Sequence, residues 1–384
     1  MSNETFPQIS YFTFLSTHSE FITLDNLMKL PISLLCLSKK KRQAYFVDFI
    51  NHTDPYRVRK HSILFRCQRK LAKHLYTLPL DLFYEYVSTL DVVNRRIVWL
   101  QHTARCGSTL WAQVFGELPG WSVVSECQYI IHSLLNEHEG DNIIAFSKSA
   151  EFKRMAVAGF KFNMSRFPPD HSVFVKGATL QDMSLLQPIR GSFPNLKILL
   201  SYRNLLPSAY SHCNALTVHR LNAQAISAQM ERRRTLDDYY QRFWVYCHCQ
   251  PWIYSKSLDT IDLVLPKNQF EWYLVMRCSI THSIRAAQDR GIDIKCIKYD
   301  HMLKNPRETI TAVFDYIGID RCLVECALRS ASQDSQKGMS FSQDNSVKRK
   351  PWVVSAESMK RCLKIVQFFG HSELEFDMEM PSTL

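Results

Sequence analysis

The sequence predicts an α/β fold, a parallel sheet covered by helices on both faces, from three observations. Short apolar runs recur along the chain: IVWL at 97–100, VFVK at 173–176 and LKILLSY at 196–202. Helix-compatible stretches separate them, and strands alternating with helices belong to parallel sheets with both faces covered. Two of the runs lead into polar turns that carry an arginine, Arg105 and Arg203. In such sheets, ligands bind beyond the carboxyl ends of the strands. The 384 residues, 46% of them hydrophobic, suffice for one large domain with additions.

Residues 1–20 show little periodicity and read as a loose tail. Residues 21–91 read as a helical N-terminal extension packed on the core. Within it PLDLFYEYVSTL, 79–90, has the pattern of an amphipathic helix with Leu80, Leu82, Phe83 and Val87 on one side. Lys39–Arg42 and Arg57–Lys60 are basic clusters, and the lysine run reads as solvated surface, with a nuclear-import or membrane-surface role as the alternative. From 92 to 330 the main α/β domain follows: strand 97–101, helix 109–117, strand 122–125, a helical region at 127–137 and a polar linker at 136–142. An apolar segment at 155–162 then precedes strand 173–176, the strand ending before Arg203, and its helix. A long polar helix is expected over 222–250, with Tyr239, Phe243 and Tyr246 as a packing face or an acceptor-pocket wall. A helix over 270–290 and a strand over 294–299 close the series. Residues 331–384 complete the domain as a polar loop and a helix, 356–370, ending at Gly370.

The turn after the first strand, Thr103-Ala104-Arg105-Cys106-Gly107-Ser108-Thr109, leads directly into a helix-compatible run from Leu110 to Phe115. A helix N-terminus presents free backbone N–H groups and the positive end of its dipole, a ready site for phosphate or sulfate. The nucleotide-triphosphatase pattern GxxxxGK[ST] is absent, and the cation precedes the glycine. An ordinary βα turn with an N-cap serine is the plainer alternative. Arg203 stands at the end of a second strand, and Ser211 lies eight residues later on the next helix. A guanidinium and a hydroxyl so placed can converge on a second anion.

Together these segments resemble the sulfotransferases that use 3′-phosphoadenosine 5′-phosphosulfate. Their 5′-phosphosulfate loop, (R/K)-S-G-(S/T)-T, is matched by Arg105-Cys106-Gly107-Ser108-Thr109. Their 3′-phosphate motif, Arg eight residues before Ser, is matched by Arg203 and Ser211. IKYDHMLKNPRETITAVFDYIGI, 297–319, resembles the family's strand, acidic residue, turn, helix and closing glycine. Ser125-Glu126 resembles the S-E-P of carbohydrate-modifying members, with Cys127 in place of the proline. The resemblance covers residues 92–330, and loop and glutamate are closer to the carbohydrate type than to the cytosolic small-molecule type.

The resemblance implies a P-loop-like fold and a donor site. Arg105 and the backbone from Cys106 and Gly107 through Ser108, Thr109 and Leu110 would bind the 5′-phosphosulfate, and Arg203 with Ser211 the 3′-phosphate. Lys176, at a strand end, would help neutralise the bridging oxygen. The base that cytosolic members carry two residues after the strand lysine is missing, since that position is Ala178. Glu126 takes its place as the expected proton acceptor, with His102 and His132 as alternatives. A thiol at Cys106 is a poorer donor than the family's serine if it faces the phosphate. The late R-K-G-x-x-G-D-W segment is also absent, and Lys348-Arg349-Lys350 is either an electrostatic substitute or a surface loop. No metal is expected. The implied acceptor is a hydroxyl or amine of a small molecule or a carbohydrate.

The formal charge of +11 suits a multiply charged anionic donor. Nucleic acid is not an expected partner, because no recognised nucleic-acid-binding pattern is present. The twelve cysteines are scattered, and Cys247-His248-Cys249 reads as thiols rather than a zinc site. No run approaches the roughly 18 apolar residues of a membrane span. Residues 27–38 come closest but contain Lys29 and Pro31 and start too late for a signal peptide. The expected compartment is the cytoplasm, with the Golgi lumen as the alternative. The triplets Asn51-His52-Thr53 and Asn163-Met164-Ser165 fit the glycosylation sequon and carry little weight. Two other functions stay open: a catalytically inactive nucleotide-binding relative, and a basic polyanion-binding protein.

Overall fold

The computed structural model describes residues 22–50, 54, 56, 64–127, 149–177, 183–217, 269–334, 353–371 and 378–384. Outside them lie the expected N-terminal tail, nearly all of the helix at 127–137, the polar linker and the helix over 222–250. So do Arg57–Lys60, His132, Ala178, Cys247–Cys249 and Lys348–Lys350.

Two sheets organise the chain. A three-stranded antiparallel sheet has the order β1-β2-β3, from β1 (Ser33–Ser38), β2 (Gln43–Phe49) and β3 (Ala72–Pro79). A five-stranded parallel sheet has the order β5-β6-β4-β7-β8. Its strands are β4 (Ile97–His102), β5 (Trp121–Ser125), β6 (Ser172–Lys176), β7 (Leu196–Tyr202) and β8 (Ile294–Lys298). Every residue of β4 is buried, as befits a parallel strand covered on both faces, where a continuous apolar run replaces alternation. The expected parallel α/β architecture is thus present.

By its internal packing the chain divides into two compact units. One comprises residues 1–97, 119–178 and 184–196. Here the N-terminal extension is not simply helical: besides α1 (Leu24–Lys29), α2 (Leu64–Leu71) and α3 (Leu80–Ser88), it carries the antiparallel sheet. Lys39–Arg42 forms the exposed turn of the β1–β2 hairpin, and Arg42 pairs with Asp81. Phe46 of β2, Phe83 of α3 and Phe162 of α4 (Ala150–Ser165) form an aromatic triangle with centroids 5.2–5.8 Å apart. Edge and tilted ring pairs of this kind add about 0.5–1.5 kcal/mol each beyond their burial. Leu80, Phe83 and Val87 face this core as expected, whereas Leu82 is exposed, because it falls a third of a turn off the stripe. Asn163 is buried between Tyr56 and the Gly159 carbonyl, so the sequon it heads is closed off.

The other unit comprises residues 98–118, 179–183 and 197–384. It holds α5 (Ser108–Glu117), α6 (Leu205–Thr217), α7 (Gln269–Asp289) and α8 (Pro306–Ile317). Strands β7 and β8 pair in parallel from Ile198↔Ile294 to Tyr202↔Lys298. Helix α8 begins on Pro306 at its first turn and stops at Gly318 in a left-handed conformation, φ 75°. Proline at the start and glycine past the end are what the unpaired terminal groups favour. The terminal helix α9 (Ala356–Phe368) is capped by Ser355 and followed by Gly370 at φ 77°. Beyond it, Cys296 N–H donates to Ser382 O (3.1 Å) and Leu384 N–H to Cys296 O (2.9 Å), covering the free side of β8. Among the described residues all cysteines are free, no helix is long and apolar enough to cross a membrane, and no cluster is placed to hold a metal ion.

Candidate functional site

The turn between β4 and α5 is built from left-handed residues: Ala104 at φ 58°, Arg105 at φ 53° and Gly107 at φ 78°. The first two are not glycine, and each such residue costs roughly 1 kcal/mol or more. Five hydrogen bonds hold the strain. Thr103 N–H donates to Ser201 O (3.1 Å) and Ala104 N–H to His102 Nδ1 (3.2 Å). Ser201 Oγ donates to Cys106 O (2.6 Å), Cys106 Sγ to Ser201 O (3.1 Å), and Ser208 Oγ to Ala104 O (3.0 Å). The Cys106 thiol is therefore buried against β7, and its hydrogen is used there.

Gly107, not Ser108, is the N-cap, and it offers no side-chain cap to the helix. The first intrahelical bond runs from Trp111 N–H to Gly107 O (3.1 Å), so the N–H groups of Ser108, Thr109 and Leu110 precede the ladder. A Cβ on Gly107 would stand 2.6 Å from Tyr299 Cδ2, so only glycine fits beneath that ring. The same ring carries Arg203 above it, with the guanidinium carbon 5.2 Å from the centroid. Arg203 Nε is buried without a hydrogen-bond partner among the described residues. Arg105 Nε donates to Ser211 Oγ (3.2 Å). Arg105, the loop glycine, Arg203 and Ser211, chosen from two distant sequence segments, thus belong to one constellation in one unit.

Beneath the loop lies Arg277 of α7, fully buried, which the sequence reading treated only as part of a helix. Its guanidinium donates to Ser208 Oγ (2.6 Å), Ser208 O (3.1 Å), Tyr273 O (2.9 Å) and His212 Nδ1 (3.0 Å). All four acceptors are neutral, and among the described residues no carboxylate pairs with it. Burial pushes its pKa down to about 10, so it remains a cation at neutral pH. His212 stacks on Tyr273 with centroids 3.6 Å apart and planes 18° apart. Burial, then the charges of Arg277, Arg105 and His102, hold its imidazole well below the ordinary value. Ser201, Ser208, His212, Arg277 and Tyr299 were all missed by sequence reasoning. A lone arginine inside the apolar run LVMRCSI was the available signal for Arg277.

Glu126 and Lys176 belong to the other unit. They follow and end the parallel pair β5–β6, in which Ser125 faces Lys176. Glu126 adopts a left-handed φ of 52°, its N–H donates to Lys176 O (2.8 Å), and Lys176 Nζ donates to Glu126 Oε1 (2.7 Å). The two side chains are 15% and 4% exposed, a nearly buried ion pair. His102 is buried, with Nδ1 taken by the Ala104 amide.

Fold and site define an α/β protein with a strand-to-helix turn whose first helical N–H groups, Ser108 to Leu110, precede the intrahelical ladder. No protein-family model and no curated protein matches the chain. Similar solved structures include a mouse sulfotransferase complexed with PAP, at 14% identity and a TM-score of 0.41, over 78% of this chain and 95% of that one. A sulfotransferase from Mycobacterium avium is similar at 10% identity and a TM-score of 0.43, over 78% and 82%. The sulfotransferase domain of the Synechococcus PCC 7002 olefin synthase is similar at 13% identity and a TM-score of 0.38, over 76% and 98%.

Proposed function

We propose that the protein is a sulfotransferase that moves a sulfuryl group from 3′-phosphoadenosine 5′-phosphosulfate to a hydroxyl or amine, on a small molecule or a carbohydrate. The observation that carries this is the buried Nε of Arg203, which has no hydrogen-bond partner among the described residues and is held over the same tyrosine ring that closes on Gly107 of the loop. A donor of that kind is costly to bury unless an acceptor completes it, and an anion is the acceptor a guanidinium binds most strongly. Ser108, Thr109, Leu110 and the backbone around Cys106 and Gly107 would hold the 5′-phosphosulfate with Arg105. Arg203 and Ser211 would hold the 3′-phosphate. In the transfer, the acceptor oxygen or nitrogen bonds to sulfur as the bond from sulfur to the phosphate oxygen breaks. Catalysis is then largely alignment and stabilisation of the charge left on the phosphate. Glu126 is the proposed acceptor of the proton, and Lys176, which pairs with it, the proposed cation for the bridging oxygen.

Calorimetric titration with adenosine 3′,5′-bisphosphate tests the donor site. Micromolar binding, far weaker for AMP and lost in Arg203→Ala, is expected; equal binding of both nucleotides would sink the proposal. A second reading, nucleotide binding without turnover, has one observation in its favour: Glu126 and Lys176 already satisfy one another. Sulfate transfer to a screened acceptor panel separates the two.

A further inference from the structure

Ser208, Ser211 and His212 lie at positions i, i+3 and i+4 of α6, and so share one face. Ser208 grips the loop through Ala104 O, Ser211 receives Arg105, and His212 receives Arg277. Arginine has donors only, so His212 Nδ1 in its bond to Arg277 must carry a lone pair. The one proton of the neutral ring is then on Nε2. Turning the ring over by 180° keeps its plane, and hence the stacking on Tyr273, but loses the bond to Arg277. His212 is half-buried, and its Nε2 has no hydrogen-bond partner among the described residues.

We propose that His212 is an additional ligand-binding residue of the donor site, whose Nε2–H, fixed in that tautomer by Arg277, donates to an anionic oxygen of the bound nucleotide. This rests on the donor site proposed above. Arg277 is the positioning residue, and His212 the one that touches the ligand. The groups around the ring favour the same state: Arg277 from α7, Arg105 from the loop and His102 from the end of β4 all oppose a second proton, and Tyr273 stacks on its face. The site therefore holds a donor that does not titrate where an ordinary histidine would, near pH 6.5.

Protein labelled with 15N at histidine, assigned by the signal missing in His212→Gln, reads the ring directly. From about pH 5.5 to 8, Nδ1 should stay unprotonated and Nε2 protonated, with the Nε2–H resonance moving when adenosine 3′,5′-bisphosphate is added. His212→Ala should weaken bisphosphate binding about tenfold, the size of one hydrogen bond to a charged group. His212→Gln, which keeps an N–H at similar reach, should bind within about threefold of the parent. A protonated Nδ1 in this pH range, or bisphosphate binding unaltered in His212→Ala, overturns the assignment. If the parent does not distinguish bisphosphate from AMP, the sulfotransferase reading fails separately. Inorganic phosphate then decides the role of His212: a shifted Nε2–H resonance supports it, and an unmoved one overturns it.

Discussion

Arg277 adds a buried cation to a candidate donor site that already holds Arg105 and Arg203. It is a cation sealed among neutral acceptors, and moving such a charge out of water costs several kcal/mol even after relaxation. Two of its acceptors, Ser208 O and Tyr273 O, are helix carbonyls whose first bond the α-ladder already supplies. Replacing Arg277 by methionine therefore removes the burial cost and leaves few orphaned groups. A unit charge pair at about 10 Å and an effective dielectric of about 20 interacts by ~1.7 kcal/mol. Arg277→Met should thus lower bisphosphate affinity on the order of tenfold while changing stability by less than about 1 kcal/mol. Calorimetry and chemical denaturation on the same preparation check both halves. A large loss of stability with unchanged affinity would make Arg277 a packing residue only.

At the scale of elements, the β5–β6 end shows how a pair can be both structural and chemical. Removing one member of a buried ion pair leaves the other charge uncompensated and costs about 3–5 kcal/mol, whereas removing both is often near neutral. Glu126→Gln and Lys176→Met should each destabilise the protein by that order, and the double variant should regain most of it. If Glu126 is the proton acceptor, turnover stays lost in the double variant although stability returns. Recovery of turnover together with stability would remove Glu126 from the chemistry. Strands β4 and β7 were legible in the sequence because each is a largely apolar run cut off by a polar turn, as in LKILLSYRN. The antiparallel sheet was not. Strand β1, SLLCLS, is buried throughout, so it shows no alternation, and the basic run that follows it looks like a surface patch rather than a hairpin turn. Arg105, Gly107, Arg203 and Ser211 were singled out by spacing and lie in one constellation. Tyr299 and His212 act through contacts between elements far apart in the chain, which no local pattern encodes.

For the whole molecule, buried ionisable groups bound the pH range of stability on both sides. The His212 imidazole resists protonation when folded, so its contribution is present above the unfolded value near 6.5 and is lost as pH falls below it. Burial pushes the thiols of Cys213, Cys296 and Cys362, and the Tyr202 phenol, up to about 12. These groups stay protonated when folded, and their contribution is lost as pH rises from roughly 8.5, where unfolded thiols ionise, towards 12. The melting temperature should therefore pass through a maximum between about pH 6.5 and 8.5. Cys213→Ala should flatten the alkaline limb, and an unchanged limb would count against these thiols as its cause. One feature of the loop reaches beyond stability. Because Cys106 and Ser201 exchange bonds with each other, the side chain at 106 is read by the strand beneath it, not by the ligand. A hydroxyl and a thiol can both answer that strand, so exchanging one for the other leaves the ligand-facing surface the same. Pattern searches that demand serine at this point screen for the underside of the loop, and pass over proteins whose upper side is intact.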